Sequence, residues 1–530
     1  MTRSPSSQPT GELPENPSGS AHPELPAHVD VLIVGAGLSG VGAAYRLRTE
    51  CPDLSYAIVE ARPSMGGTWD LFRYPGIRSD SDMFTFSYPF KPWQDGKALA
   101  DGPSILRYIK ETAAEFGIDR HIRYRTRVVG ADWSTARARW TVTVERTGAD
   151  GAVTRHTVTC GFLYSCAGYY DYDQGHAPEF PGAESFTGTV VHPQFWPEDL
   201  DYAGKRVVVI GSGATAVTLV PTMAETAAHV TMLQRTPTWI APVPGRDKVA
   251  DKIRAALPPE TAHKVIRGKN ILINMGFYQF CRRRPEAARK FLTGLSTRFL
   301  KDPEAVKEHF TPPYNPWDQR LCAIPDADLF RTIRKGRASV VTDHIDTFVP
   351  EGIRLKSGRV LEADVVVTAT GLKLLAFGGI GPSVDGVPVK LSEQFVWRGA
   401  MLTGVPNFAV CIGYTNASWT LRADLSSRLV CKVLGHMRRR DYAAVVPRPD
   451  RALAQRPLLD LASGYVQRSI DAFPRQGDRG PWRVRQNYLL DAATTLRTNL
   501  DRTLKPTPRS AVPEAGRSAA GDHALLKAGR

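Results

Sequence analysis

Apolar runs that stop at glycine-rich turns organise this chain. Residues 29–34 read Val-Asp-Val-Leu-Ile-Val, a short β-branched run that predicts a buried strand. The run enters Gly35-Ala36-Gly37-Leu38-Ser39-Gly40, and residues 41–48 then carry apolar positions at helical spacing. A second strand is predicted at 55–60. The same order recurs as a strand at 206–210, the turn Gly211-Ser212-Gly213-Ala214-Thr215-Ala216, a helix over 217–226 and a strand at 229–233. A further apolar strand, 364–369, ends at Thr370-Gly371. Two such units predict an α/β fold with two Rossmann-like dinucleotide-binding domains. Residues 246–310 read as mostly helical, an insertion in the second unit. The expected order is a disordered leader, 1–27; the first part of the first domain, 28–168; the second domain, 169–345; the rest of the first domain with the C-terminal region, 346–495; and a disordered basic tail, 496–530.

A bound pyrophosphate needs a strand that ends, a tight turn, and helix N–H groups aimed at the anion. Gly35 permits the turn, Gly37 lets the backbone approach the phosphates, and Gly40 lets the helix pack close to the strand. Glu60 ends the next strand, twenty residues after Gly40, where a carboxylate accepts hydrogen bonds from ribose hydroxyls. The second turn has Ala216 at the third glycine position, which the pattern tolerates. No acid ends its following strand, and Gln234-Arg235-Thr236 stand there instead. An acid would repel a 2′-phosphate, whereas Arg235 and Thr236 suit one; the plainer alternative is that Arg235 is only a solvated surface residue. The first site therefore suits FAD and the second NADPH, with hydride passing from nicotinamide to flavin. The FAD candidates are Gly35, Gly37, Ser39, Gly40, Glu60 and Val128; the NADPH candidates are Gly211, Ser212, Gly213, Ala214, Thr215, Ala216, Arg235 and Thr236.

Composition narrows the remaining classes. The chain has 530 residues, 42% apolar and 23% charged, which excludes a fibrous or wholly disordered protein. Its seven cysteines are scattered without paired metal spacing, so no metal site and a reduced cytoplasmic compartment are expected. The net charge of +15 is local: residues 246–310 hold fifteen basic and seven acidic residues, and 502–530 hold six and two. A diffuse nucleic-acid-binding face is therefore not expected. The leader has no apolar core of a secretory signal, and no apolar run is long enough to span a membrane.

Between the two turns lies Phe186-Thr187-Gly188-Thr189-Val190-Val191-His192-Pro193-Gln194-Phe195-Trp196-Pro197, which fits FxGxxxHxxxW followed by Pro. This resembles the fingerprint of type I Baeyer–Villiger monooxygenases, whose relatives that oxygenate sulfur or nitrogen usually end it with Tyr or Phe. Gly66-Gly67-Thr68-Trp69 looks like the family's flavin-facing turn, and residues 73–80 resemble the segment that ends in an aspartate near the flavin. Residues 316–322, Pro-Trp-Asp-Gln-Arg-Leu-Cys, match the region of the family's active-site arginine. With residues 413–420, these segments look closest to the ethionamide-activating branch, and the similarity runs from about 28 to 495. Two positions depart from the common pattern: Asp70-Leu71-Phe72 follows Trp69, and Gln319 stands where many members carry a lysine for the NADPH phosphate. NADPH binding should then lean on Arg235 and Thr236.

The resemblance implies that reduced flavin and O2 give a C4a-peroxide, which attacks a ketone and yields an ester or lactone. Arg320 would stabilise the negative peroxide and the alkoxide, because a guanidinium stays charged. Asp80 would orient it and belongs to the flavin site together with Gly67, Thr68 and Trp69, although Asp82 lies two residues away and offers the same group. His192 and Trp196, with Phe186 and Gly188, either act on the reaction or brace the interdomain linker. Residues 416–419 and 482–488 are candidates for the substrate wall. The expected partners are O2 and a small-molecule ketone or sulfide. Oxygenation mainly at sulfur or nitrogen is the first alternative. A disulfide reductase would need a CxxC that is missing, since Cys160 and Cys166 are not so spaced. The apolar stretch 271–280 followed by Arg282-Arg283-Arg284 raises peripheral membrane contact, against a plainer reading as a helical cap with a solvated basic face.

Overall fold

A computed structural model describes residues 24–459 and 461–513. The expected leader lies outside these residues up to 23, and the last seventeen residues of the expected tail do so too. Residues 24–27 are already tied down: Arg123 donates to the Glu24 carbonyl, and the Thr159 N–H donates to that of Ala27.

The first unit is built on β1 (His28–Val34), α1 (Leu38–Glu50) and β2 (Tyr56–Val59). β1 lies between β2 and Val153–Ser165, parallel to both, with Val34 opposite Val59 and Ser165. Val31, Leu32 and Ile33 are wholly buried, because helices and strands cover both faces of the sheet. Phe408–Val410 adds in parallel beside Val153–Ser165, and antiparallel strands extend the sheet on its far side.

The second unit repeats the plan with β3 (Arg206–Ile210), α2 (Ala214–Met223) and β4 (His229–Gln234). The helical insertion follows as Lys248–Ala256, α3 (Pro259–Arg283), Pro285–Leu300 and Pro303–His309. Proline at the first helical turn starts the last three, and Asp302 caps the fourth by accepting from the Ala305 N–H. The sheet closes with β5 (Val365–Thr368), giving the all-parallel order Ala338–Thr342, β4, β3, β5, Thr189–Val191.

Two expected boundaries shift. The second domain does not end at 345: β5 fills the slot between β3 and Thr189–Val191, where Val365, Val366 and Val367 are fully buried. The chain crosses between the units along Tyr170–Gly175 and returns along Leu372–Leu374, and these two segments pair antiparallel. Nor does the ordered chain stop at 495. Leu504–Pro508 pairs antiparallel with Tyr442–Pro447, Leu500 and Leu504 are 4% exposed, and Trp397 donates to Thr503 Oγ1 at 2.9 Å. Those two leucines supply the burial that keeps a polar, basic segment ordered. α4 (Trp419–Arg439) packs along α1 and is tied to it by Arg46 and Asp424 at 2.7 Å.

Candidate functional site

One cleft opens at the carboxyl ends of the first sheet's parallel strands, where open α/β sheets bind ligands. Gly35, Gly37, Ser39, Glu60, Gly67, Thr68, Trp69, Val128, Asp80 and Arg320 all line it. Gly40 lies behind: a Cβ there would sit 1.9 Å from the Gly35 carbonyl oxygen, so the turn closes only around glycine. Gly35 has φ +99°, and a Cβ there would meet the Cys166 carbonyl at 2.9 Å. Gly37 and Gly67 face each other, a Cβ on Gly67 falling 3.2 Å from the Gly37 Cα. The two turns thus form a narrow backbone cradle, tied by the Gly66 N–H donating to the Ala36 carbonyl at 3.1 Å.

Glu60 sits at the cleft's inner edge, 6% exposed. Its Oε2 accepts from the Ala36 N–H at 2.7 Å and its Oε1 from the Arg62 N–H at 2.9 Å. Burial pushes its carboxyl above the ordinary value, against these two backbone bonds. A carboxylate has about four acceptor positions, so two remain for ribose hydroxyls. Cradle and carboxylate together fit an adenine dinucleotide. Ser39 serves the wall as well, since its Oγ accepts from Trp419 Nε1 at 2.7 Å.

The second glycine turn has the same build and a more open mouth. Gly211 has φ +138°, and a Cβ there would meet the Ala369 carbonyl at 2.3 Å. A Cβ on Gly213 would meet nothing within 4 Å, leaving the entry to α2 free for a phosphate. Ala216 is fully buried, so its methyl fills the space that a third glycine would leave. Ser212 bonds Thr238 Oγ1 at 2.7 Å and donates to the Thr236 carbonyl at 3.2 Å, which shapes the loop after β4. Gln234 turns inward onto the His309 carbonyl and Thr342, while Arg235 stays exposed at the mouth beside half-buried Thr236.

Arg320 and Asp80 meet in the wall of the cleft. Arg320 Nε donates to Asp80 Oδ2 at 3.2 Å, and its Nη2 lies 3.1 Å from the same oxygen. Asp80's charge holds the guanidinium pKa well above its ordinary value. Their side chains keep 33% and 27% exposure, so both face the open cleft. The pair joins the two units. Residues 72–80 pack into the second unit's core through Phe72, Tyr74 and Ile77, and Arg78 bonds Asp328 at 2.5 Å. Arg320 is set between a turn in which Trp317 holds φ +70° and the strand Cys322–Pro325. A bulky residue in the left-handed region costs roughly 1–3 kcal/mol and is found at functional sites.

Asp82, the rival of Asp80, is used elsewhere. It caps the short helix Met83–Phe86, accepting from the Thr85 N–H at 2.9 Å and from Asn274 Nδ2 at 2.9 Å. Burial raises its pKa. It does not pair with Arg320.

The Phe186–Trp196 segment lies against the crossing strands. His192 packs on Gly175, where a Cβ would strike its ring at 2.3 Å, and its Nδ1 accepts from the Gln194 N–H. Burial lowers its pKa. Gln194 donates to the Asp171 and Tyr172 carbonyls. Trp196 meets Tyr202 edge-on, and Gly188 makes room for Phe186. None of Phe186, Gly188, His192 and Trp196 lines the cleft.

A family model described as flavin-binding monooxygenase-like matches residues 30–246. FAD-containing monooxygenase EthA of Mycobacterium tuberculosis is 52% identical over 476 residues, 89% of this chain and 96% of that protein. The chain is a flavin-binding monooxygenase. The putative FAD-containing monooxygenase MymA of M. tuberculosis is 51% identical to this monooxygenase over 482 residues, with 89% and 96% covered. The probable FAD-binding monooxygenase AlmA of Acinetobacter baylyi is 47% identical over 477 residues, with 89% and 95% covered. A solved steroid monooxygenase bound to NADP shares 25% identity at TM-score 0.65, covering 80% of this chain and 88% of that one. An open cyclohexanone monooxygenase shares the fold at 21% identity and TM-score 0.65, with 80% and 91% covered.

Several cleft residues of the monooxygenase escaped the sequence reading. Tyr169, Tyr170 and Tyr172 line the cleft from the first crossing segment, and Tyr465 reaches Arg320. Burial pushes Tyr465 up to about 12, so it stays a neutral hydroxyl beside the guanidinium. The aromatic run after Gly168, at the carboxyl end of a buried strand, was the available signal. Tyr414, Ala417 and Trp419 also line the cleft, whereas Trp482 sits in the first unit's core.

Proposed function

We propose that this monooxygenase holds FAD in the first cleft, takes hydride from NADPH at the second glycine turn, and inserts one oxygen atom of O2 beside a ketone carbonyl to give an ester or lactone. The Arg320–Asp80 pair at the flavin end of the cleft carries this reading. FAD, when bound, supplies the oxygen-activating chemistry. Gly35, Gly37 and Gly67 cradle its pyrophosphate, Glu60 takes the ribose with Val128 on the strand beside it, and Thr68 and Trp69 wall the flavin end. Arg320 stabilises the substrate oxygen that gains negative charge as the carbonyl is attacked. Asp80 positions the guanidinium and fixes which of its N–H groups face the cleft. His192 and Trp196 act through the crossing strands, not on substrate. The resemblance to the ethionamide-activating branch supports thioethers and thioamides as further substrates. All seven cysteines carry free thiols, which suits a reduced cytoplasm.

Anaerobic reduction by NADPH, followed by ¹⁸O2 and a ketone panel read by mass spectrometry, tests the reading. An ester carrying one labelled oxygen is expected. Hydrogen peroxide as the sole product with every ketone and sulfide would reduce the protein to an NADPH oxidase.

Arg235→Glu tests the second site. A charge-assisted bond is worth about 1.5–3 kcal/mol, so KM for NADPH should rise roughly ten- to a hundredfold. NADH, lacking the 2′-phosphate, should be used about as before. Equal losses with both nucleotides would show that Arg235 does not read the phosphate.

A further inference from the structure

The helical insertion turns an apolar and basic face outward. On α3, Val265 is 43% exposed, Leu272 60% and Ile273 57%. Seven residues are two turns less 20°, so Val265 and Leu272 share a face that Ile273 widens. Phe280 continues it one heptad beyond Ile273 and meets Phe291, 50% exposed on the following helix, ring to ring at 6.3 Å. Apolar side chains exposed together on one surface mark an interaction site, whereas scattered ones need no explanation.

Charge identifies the partner. Lys264, Arg283, Arg284 and Lys290 are exposed around these side chains, with Glu260 and Glu286 as the acidic neighbours. Arg282 is held by Asp318 at 2.7 Å and does not join them. The segment 246–310 as a whole carries a net +8. No helix among the described residues is long and apolar enough to cross a membrane. An apolar stripe rimmed by cations, on a helix that does not span, is the pattern of a helix lying in an anionic lipid interface.

The inner side of the same helix braces the segments that line the cleft. Arg267, 7% exposed, donates to the Phe84, Thr85 and Ser87 carbonyls, and Asn274 bonds Asp82 two residues after Asp80. Ile271 packs on Tyr414, a cleft residue. One helix therefore carries an exposed apolar face on one side and backs the cleft wall on the other. We propose that α3 and the following helix dock this monooxygenase on an anionic lipid surface, placing the cleft beside a reservoir of lipophilic substrate.

Co-sedimentation of the full-length, flavin-loaded protein with vesicles tests the docking. Phosphatidylglycerol-containing vesicles should bind it at low ionic strength, pure phosphatidylcholine vesicles should bind at least about tenfold less, and salt should weaken the binding. Leu272→Glu with Ile273→Glu should cut the bound fraction about tenfold while NADPH oxidation and molar mass stay unchanged. Arg283→Glu with Arg284→Glu should lose binding to the anionic vesicles selectively. The proposal falls if anionic vesicles do not bind at low salt, or if both double variants bind as the parent does. It also falls if the Leu272/Ile273 variant changes the molar mass in light scattering, because the face would then join two copies of the chain.

Discussion

Replacing Arg320 with alanine should leave flavin reduction by NADPH close to the parent rate and cut ester formation about a thousandfold. In the proposed reaction hydride transfer draws on the two glycine turns, Glu60 and the mouth around Arg235, whereas Arg320 bonds Asp80. Oxygen insertion needs a cation where charge develops on the substrate. Removing one such donor typically costs 10²–10³ in rate, about 3–4 kcal/mol. The loss should fall at the upper end here. Asp80 then faces the cleft without its cation, so a negative charge stands where a positive one stood. NADPH consumption should continue and end in hydrogen peroxide. Arg320→Lys keeps a charge but loses the planar fork that meets Asp80 through Nε and Nη2, so it should recover only part of the yield. Stopped-flow reduction and product analysis on the same samples separate the two half-reactions. A normal ester yield from Arg320→Ala would remove the residue from the mechanism. Equal loss of reduction and oxygenation would make it a structural ion pair.

What the sequence made legible was local. A strand, a glycine turn, a helix and a terminal acid follow one another within about thirty residues, so Glu60 and the Gly35 turn are readable without knowing the fold. The second unit repeats the strand, the turn at Gly211 and the helix, with Arg235 after the next strand where the first unit has its acid. Spatial choices were not readable. Asp80 and Asp82 are two residues apart and chemically alike; only packing shows that Asp82 is spent on the Thr85 N–H while Asp80 faces Arg320, 240 residues away. Tyr465 stands farther still along the chain from the glycine turns at 35–40 and 66–67, and nothing in its neighbours marks it. The crossing strands explain the misplaced boundary at 345. β5 belongs to the second sheet by register with β3, a long-range pairing, although a three-stranded meander of 345–362 stands before it. The strand Leu504–Pro508 was hidden by its composition, since two leucines rather than a long apolar run hold it.

The second large effect concerns stability behind the cleft wall. Asp491→Ala should destabilise the monooxygenase by about 3–5 kcal/mol, the usual cost of breaking a buried ion pair from one side. Arg422 Nη1 lies 2.6 Å from Asp491 Oδ2, and the two side chains are 5% and 8% exposed. The Tyr414 hydroxyl donates to the same oxygen at 2.9 Å, and Arg422 also donates to the Arg398 carbonyl. Alanine leaves a guanidinium buried on α4 with no anion and leaves the tyrosine hydroxyl without its acceptor. Burial pushes the Asp491 carboxyl above its ordinary value, against the pull of Arg422. A folded pKa above the unfolded one means that folding disfavours the charged form, a cost present at neutral pH and absent in acid below the unfolded value. Arg422, by contrast, is held above its ordinary value despite its burial, with Asp491 among the causes, so the pair's worth rests on the general balance in which desolvation of two buried charges offsets their attraction. Arg422→Met with Asp491→Leu should accordingly recover most of the stability that Asp491→Ala loses, even though it removes more polar groups. Tyr414 lines the cleft, so flavin should dissociate from Asp491→Ala at lower denaturant than from the parent. Denaturant titrations of the holo-proteins, followed by flavin fluorescence and by circular dichroism, measure both. A double variant as unstable as Asp491→Ala would show that the charges earn their burial, and an unchanged midpoint for Asp491→Ala would show that water reaches Arg422 in the folded protein.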